Sequence, residues 1–191
     1  MLNIRKANIN DTKQVLKHYS TVIDQIQNYE SNPEWIHGIY PKEEKIIESI
    51  ETGELYLGII NSKVVSSMVL DHNPNQGFEE INWNVNCDEK SAYYIHLVAV
   101  NQNYKNRGIA KEMLRYTFNN AKNNDIKSIR LSLNRKNLVI EKLYTQFEFK
   151  YVDAIEVNDK DRGLKFFNVY EKVIWFFCGL DEMENWKRKN R

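Results

Sequence analysis

The feature that most constrains the fold is an apolar run at residues 93–100, Tyr-Tyr-Ile-His-Leu-Val-Ala-Val, followed by a polar loop and a helical pattern. A short run of almost continuous apolar character is typical of a strand that is buried on both faces of a sheet. The helical pattern that follows places one apolar face toward the core, made of Ile109, Ala110, Met113, Leu114, Phe118 and Ala121. The sequence therefore predicts a central strand with a helix packed against it.

The remaining patterns predict further strands and helices in a mixed order. Strand-like runs lie at 2–7, 55–60, 64–70, 126–133, 149–157 and 164–173, and helical faces lie at 15–26, 46–50 and 138–146. Residues 78–90 show no clear pattern. The order predicts an α/β (α+β) domain with a mixed sheet and several antiparallel neighbours, and not the strict alternation of a doubly wound fold. No repeat or linker divides the chain, so we predict one domain over 1–173 and a C-terminal extension over 174–191.

Composition excludes several classes of protein. The chain has 191 residues with 42% hydrophobic and 28% charged side chains, which is enough apolar material for a core. A net charge of +1 gives no electrostatic reason to expect nucleic acid or a membrane as partner. Cys87 and Cys178 have no CxxC spacing, His18, His37 and His72 have no ligand spacing, and no metal is expected. With no signal-peptide pattern or membrane-spanning run, we expect a cytoplasmic protein.

The loop after the central strand has the features of an anion site. Residues 101–107 carry Lys105 and Arg107, and a helix opens at Gly108. The first N–H groups of a helix have no intrahelical partner, so they suit a phosphate or pyrophosphate group. Neither a P-loop nor a dinucleotide-binding glycine motif is present. Taken alone, Gly108 could equally serve only to permit a tight turn.

Residues 100–110, Val-Asn-Gln-Asn-Tyr-Lys-Asn-Arg-Gly-Ile-Ala, resemble motif A of the GNAT acetyltransferase superfamily, which reads Gln/Arg-x-x-Gly-x-Gly/Ala. Lys105 stands where Gln or Arg is usual, and Ala110 is an accepted variant of the last glycine. Residues 133–149 resemble motif B, with Asn137 at its Asn position, Tyr144 in its Leu-Tyr pair, and Glu148 at a usual Gly position. Residues 40–41, 53–56 and 170–173 also resemble a bacterial branch of this superfamily.

The resemblance implies a GNAT-type fold, which is a mixed, mostly antiparallel sheet with a splayed central strand, flanked by about four helices. It implies an N-acetyltransferase that transfers an acetyl group directly from acetyl-CoA to a primary amine. In such enzymes a bulge splays the central strand, and its backbone pairs with the pantetheine arm. The implied cofactor-binding residues are Val98, Val100, Lys105, Asn106, Arg107, Gly108, Ile109, Ala110, Asn137 and Tyr144. Asn137 could equally be a helix cap.

The resemblance and side-chain chemistry suggest two catalytic candidates. Tyr144 stands where the superfamily places a general acid for the departing thiolate, although a tyrosine on an amphipathic helix can also be a core residue. His96 on the central strand is a candidate base, because imidazole titrates near neutrality, or else a structural hydrogen-bonding residue. Glu79 and Glu80 are further candidates for the acceptor side, or exposed loop charges.

The acceptor is expected to be a small-molecule or protein amine, bound by a monomer or a homodimer. Tyr29, Trp35, Tyr40 and Trp83 are aromatic candidates for the acceptor wall and equally good core residues. The aromatic residues at 175–180 could cover the acceptor cleft or a subunit interface, or cap the sheet edge. Two alternatives to an enzyme remain: a catalytically inactive acyl-CoA-binding sensor of the same fold, and an interaction protein in which the Gly108 loop is only a turn.

Overall fold

The computed structural model describes residues 1–29 and 32–174. Within them the chain forms seven strands and four α-helices in a mixed order. The elements are β1 (Asn3–Lys6), α1 (Thr12–Ile26), α2 (Glu43–Glu51), β2 (Leu55–Ile60), β3 (Lys63–Asp71), β4 (Ala92–Val100), α3 (Ile109–Asn123), β5 (Ser128–Asn134), α4 (Leu138–Gln146), β6 (Lys150–Asp159) and β7 (Gly163–Val173). The predictions made for residues 175–180 and 186–191 lie outside the described residues.

The seven strands form one sheet in the order β1-β2-β3-β4-β5-β7-β6. Every neighbouring pair is antiparallel except β4 and β5, which are parallel. A parallel pair needs a crossover connection, and α3 supplies it between β4 and β5. The predicted α/β fold class, with a mixed and mostly antiparallel sheet, is therefore confirmed.

The central strands of the sheet are apolar on both faces, and helices cover each of these faces. The apolar faces of α1 and α2 pack on one face in a core that includes Val15, Ile46 and Leu57. The faces of α3 and α4 pack on the other in a core that includes Met113 and Tyr144. Burying these side chains contributes roughly 1.5–3 kcal/mol each relative to exposure. The prediction that residues 93–100 form a central strand buried on both faces is confirmed.

The start of α1 is fixed by side-chain hydrogen bonds from the residues that precede it. A short 3₁₀ turn over Ile9–Asp11 precedes the helix, and the side chain of Asn8 accepts a hydrogen bond from the backbone N–H of Asn10 at 3.0 Å. The Asp11 carboxylate accepts from the N–H of Asn8 and is held by the guanidinium of Arg5 at 2.7 and 2.8 Å. Asn8 therefore caps the 3₁₀ turn, and this turn leads directly into α1.

The segment without a sequence pattern, residues 78–90, is held by side chains from the sheet rather than by strand pairing. It contains two short 3₁₀ turns, Phe78–Glu80 and Glu89–Ser91. Buried Arg130 on β5 donates to the carbonyl of Val85 at 2.7 Å. Buried Glu171 on β7 accepts from the N–H of Asn84 at 2.8 Å. Long-range bonds of this kind leave no periodicity in the local sequence.

Candidate active site

A cavity opens where the two central strands separate. β4 pairs with β5 at only three positions, from Ala92 with Ser128 to Tyr94 with Arg130. Beyond Tyr94 the strands diverge, and a cavity of about 790 Å³ lies between them. Residues 95–100 of β4 and 131–134 of β5 form its inner walls. This is the splayed central strand that the sequence predicted.

A bulge in β4 accompanies the divergence. Against β3, Ala99 pairs with Ser67 and His96 pairs with Val69, so two residues of β4 oppose one residue of β3. Leu97 has a φ of +48°, a left-handed conformation that is rare for a residue other than glycine. Its carbonyl accepts a hydrogen bond of 2.8 Å from the hydroxyl of Tyr19 on α1. This buried tyrosine therefore anchors the strained residue of the bulge.

The bulged strand presents backbone groups to the cavity. The N–H of Asn101 donates toward β3, to the carbonyl of Val65 at 2.9 Å. Because N–H groups alternate in direction along a strand, those of Val100 and Val98 point to the side where β5 has separated. Both valine side chains pack on the core that includes α3. The backbone N–H groups of these two residues are therefore directed toward the cavity, while their side chains lie in the core.

The start of α3 forms one end of the cavity. The first backbone bond of the helix runs from the N–H of Glu112 to the carbonyl of Gly108 at 3.0 Å, so the preceding amides have no helical acceptor. Gly108 has a φ of +75°, and a Cβ built on it would have no atom within 4 Å. Lys105 and Lys111 add positive charge to the same wall. Free N–H groups, an open approach and two cations suit a pyrophosphate.

The other cofactor-site candidates from the loop divide into two groups. Asn106, Ile109 and Ala110 lie on the cavity wall with Lys105 and Gly108. Arg107 does not line the cavity; it is exposed, and its guanidinium lies 5.2 Å from the centre of the Tyr104 ring. Lys111 also lies on the cavity wall, although the motif did not single it out. A basic residue in the first turn of a helix whose start suits an anion is the sequence signal that could have identified it.

Two residues of α4 face the same cavity. Asn137 caps the helix, because its side-chain oxygen accepts from the N–H of Ile140 at 3.3 Å, and it also lines the cavity. Tyr144 lines the cavity and is 3% exposed, with its ring edge-on to Phe149 at 5.1 Å. Burial raises the pKa of Tyr144 above its ordinary value. Within the described residues its hydroxyl has no hydrogen-bond partner, so it is free to donate to a bound molecule.

His96 forms a pair with a buried carboxylate. Its Nε2 lies 3.1 Å from Oδ1 of Asp71 on β3 and 3.2 Å from the carbonyl of Asn73. Both partners are acceptors, so Nε2 must carry the proton in the neutral ring. The ring lies on the cavity wall, and Nδ1 makes no hydrogen bond within 1–29 and 32–174. The lone pair of Nδ1 is therefore the basic position of this side chain.

The opposite wall combines distant segments. Hereafter the cofactor side is the wall formed by residues 98–111 and 131–144. The acceptor side is the wall formed by α1, the connection from α1 to α2, and the β6–β7 hairpin. Tyr29, Trp35 and Tyr40 lie on the acceptor side, as do two residues that the sequence did not single out, Asp159 and Arg162.

Three of the acceptor-side candidates lie elsewhere. Trp83 is away from the cavity and stacks on the guanidinium of Arg130, 4.2 Å from the ring centre, so it takes the core alternative. Glu79 and Glu80 are exposed and also lie off the cavity wall, and Glu79 accepts from the N–H of Gly77 at 2.9 Å. These two residues match the exposed-charge alternative.

The described residues contain neither a metal-binding cluster nor a membrane-spanning helix. No group of three or more His, Cys, Asp and Glu side chains in this part of the chain is placed to hold a metal ion. None of the helices described here has the length and apolar character needed to cross a bilayer.

Comparisons with known proteins agree with this architecture. A structure from Streptococcus agalactiae, described as an acetyltransferase of the GNAT family, superposes with a TM-score of 0.74 at 17% identity, over 92% of this chain and 96% of that one. A putative acetyltransferase from Staphylococcus aureus gives 0.66 at 22% identity, over 90% and 99%. The ribosomal-protein-S18-alanine N-acetyltransferase of Escherichia coli gives 0.67 at 12% identity, over 95% and 98%. At these identities the likeness concerns the fold alone.

Sequence comparison gives a more specific result. None of the curated proteins compared matches the sequence. The family described as Acetyltransferase (GNAT) matches residues 22–149, which include the central strand, the loop at Gly108 and the helix that carries Tyr144. Family match and cavity architecture lead to the same conclusion: the chain belongs to the GNAT acetyltransferase family.

Proposed function

We propose that this protein transfers an acetyl group from acetyl-CoA directly to the nitrogen of a primary amine. The observation that carries the proposal is the single cavity between β4 and β5. It has the unpaired amides of α3 at one end, Tyr144 on its wall, and the Asp71–His96 pair on its central strand. An anion site, a proton donor and a base along one cavity are the groups that acyl transfer from a phosphate-bearing thioester requires.

The cofactor side fits coenzyme A. The amides of Ile109 and Ala110, with Lys105 and Lys111, would bind the pyrophosphate. The N–H groups of Val98 and Val100 would pair with the pantetheine arm as a neighbouring strand does. The free amide nitrogen of Asn137 would donate to the same arm, since its oxygen already caps α4.

The chemistry follows from where protons are held. An amine with a pKa near 10.4 reaches its neutral form at pH 7 at a cost of about 4–5 kcal/mol, and Nδ1 of His96 would accept the released proton. The nitrogen lone pair attacks the thioester carbon, the C–N bond forms, and the C–S bond then breaks. A backbone N–H of the bulged strand would stabilise the oxyanion. Tyr144, whose buried hydroxyl keeps its proton, would donate it to the departing sulfur, and it would regain a proton from the adduct nitrogen, which carries one more than the amide product.

Replacement of the two catalytic candidates tests this proposal. The assay measures release of the CoA thiol with a panel of primary amines, against pH. Tyr144→Phe should lower kcat about 100-fold, and His96→Gln should lower kcat/KM about 10–100-fold. Both variants should bind acetyl-CoA as the wild type does. Tyr116→Phe is the matched control, because Tyr116 packs on Tyr56 outside the cavity.

The outcomes separate the enzyme from its alternative. Unchanged kinetics in both variants would contradict the assigned roles. Tight binding of acetyl-CoA with no turnover of any amine would instead favour an acyl-CoA-binding sensor of the same fold.

A further inference from the structure

We infer that the acceptor is a monoamine with an aromatic or apolar body, and that the acceptor side discriminates against polyamines. The inference rests on the proposed function, because it assigns the substrate class of the same cavity. Three features of the acceptor side carry it: an aromatic and aliphatic wall, a single carboxylate whose oxygens are all occupied, and a guanidinium held in place beside that carboxylate.

Most side chains on the acceptor side are aromatic or aliphatic. The connection from α1 to α2 supplies three aromatic rings, and Trp35 is fixed against Tyr19 with ring centres 5.8 Å apart. β6 and β7 supply the facing side chains. The set that encloses the body of the acceptor is Tyr29, Trp35, Tyr40, Ile155, Val157 and Phe167. Such a wall stabilises a ligand that buries apolar surface, and the hydrogen-bond acceptors in this set are neutral tyrosine hydroxyls rather than carboxylates.

Asp159 is the only carboxylate on the cavity wall within the described residues. Its Oδ2 accepts from Nε and Nη2 of Arg162 at 3.1 and 2.6 Å. Its Oδ1 accepts from the backbone N–H groups of Asp161 and Arg162 at 3.0 and 2.9 Å. These bonds, chiefly those from Arg162, lower the pKa of Asp159 to about 2. A second ammonium could use this carboxylate only by displacing the guanidinium.

Arg162 is fixed rather than free to move aside. Its side chain is 9% exposed, and the guanidinium lies 3.8 Å from the centre of the Tyr40 ring. This stacking adds a cation–π attraction to the ion pair. The pair has no net charge, so these two wall residues together give a polycation no net attraction. The cofactor side adds the positive charges of Lys105 and Lys111.

Asp71 does not alter this balance. It is 7% exposed, is not on the cavity wall, and accepts from Nε2 of His96 and from the N–H of Asn73. The charge of Asp71 is directed to the imidazole of His96, the group that would accept the proton of the reacting amine. A monoamine can therefore place its single nitrogen at His96 and its body against the apolar wall.

Calorimetry of amines into the protein saturated with free CoA tests the inference without requiring turnover. Phenethylamine and spermidine are the probes. We expect the Kd of phenethylamine to be at least ~10-fold lower than that of spermidine. Arg162→Gln releases Asp159 from its ion pair. The affinity for spermidine relative to phenethylamine should therefore increase ~10-fold. Lys160→Gln removes the same charge from an exposed residue of the same turn and should leave the ratio unchanged.

The outcomes are distinguishable. If CoA itself does not bind, the proposed function fails and this inference fails with it. If CoA binds but spermidine binds as tightly as phenethylamine, or neither amine binds, the inference alone is wrong. The inference would also be overturned if the ratio of the two Kd values were the same in Arg162→Gln as in Lys160→Gln. If Arg162→Gln does not fold, the comparison of the two amines in the wild type decides the matter.

Discussion

On the cofactor side of the cavity the wall comes from two segments that are close in the sequence, 98–111 and 131–144, whereas on the acceptor side it comes from two segments that are far apart, α1 with the connection that follows it and the β6–β7 hairpin. The cofactor side depends on backbone N–H groups and a helix start, and the acceptor side depends on side chains. The family's cofactor is constant, so a fixed backbone platform suits it. A wall of side chains can change with the acceptor while the fold is kept.

The two sides also differ in what supports them. The acceptor side includes Val22 and Ile26 of α1, and the same helix buries two polar residues, His18 and Tyr19. The turn after α4, on the cofactor side, has its unusual residue, Glu148, at the surface. We therefore expect substitutions in α1 to affect stability and catalysis more than a substitution in the turn after α4.

The largest effect is expected at His18. Burial lowers its pKa from 6.5 to about 4, against a smaller opposing effect from the backbone of Ala99. Between pH 6.5 and 4 the unfolded chain binds a proton at this site that the folded protein does not. The free energy of unfolding should therefore decrease as the pH is lowered through this range, by roughly 3 kcal/mol in total from this residue.

Urea unfolding at pH 7 and pH 5 measures this effect. His18→Leu should lose less stability on acidification than the wild type. His37→Gln is the control, because His37 is an exposed residue paired with Asp24. Equal losses in the wild type and in His18→Leu would show that His18 does not govern the acid sensitivity of α1.

A smaller effect is expected at Tyr19, which links α1 to the bulge. Tyr19→Phe leaves the carbonyl of Leu97 without its partner and should lower the free energy of unfolding by about 1–1.5 kcal/mol. Because the bulge orients the backbone N–H that would stabilise the oxyanion, kcat/KM should fall ~10-fold while the Kd of acetyl-CoA changes less than ~3-fold. Tyr93→Phe removes a similar bond, to Asn120 at 2.8 Å, away from the bulge. If both variants lose the same activity, Tyr19 has no positioning role.

The smallest effect is expected at Glu148. It has a φ of +64°, which glycine adopts without strain, and its exposed carboxylate pairs with Lys172 at 2.9 Å. An exposed pair contributes less than about 1 kcal/mol, and the left-handed backbone costs about 1–2 kcal/mol. Glu148→Gly should raise the free energy of unfolding by about 0.5–1 kcal/mol without changing acetyl-CoA binding. Glu148→Ala loses the pair and keeps the strain, so it should be destabilised in the same denaturation experiment.

These residues also show what could be predicted from the sequence. The apolar run at 93–100 predicts the central strand because burial on both faces leaves a local pattern, and the bounds of α4 coincide with the prediction. Gly108 and its basic neighbour Lys105 could be predicted as part of an anion site because the loop and the helix start form one continuous segment of sequence. The turn at Glu148 keeps the left-handed conformation although glycine is absent.

The acceptor side could not be predicted in the same way. Asp159 and Arg162 lie in a hairpin turn, where their type and spacing indicate only an exposed ion pair. They reach the cavity because β6 is the edge strand of the sheet and its end lies opposite Tyr40. The pair of His96 with Asp71 likewise depends on the register of β3 and β4 beside the bulge. Contacts set by tertiary packing leave no local pattern in the sequence.

Calorimetric titration of acetyl-CoA into the wild type, Gly108→Glu and Gly38→Glu tests the central claim most directly. Gly38 is the matched control, because its φ of +71° and its empty surroundings impose the same backbone strain away from α3. We predict micromolar binding by the wild type and by Gly38→Glu, and at least ~100-fold weaker binding by Gly108→Glu, whose carboxylate would face the pyrophosphate. Absence of binding by the wild type, or equal affinity in all three proteins, would contradict the account.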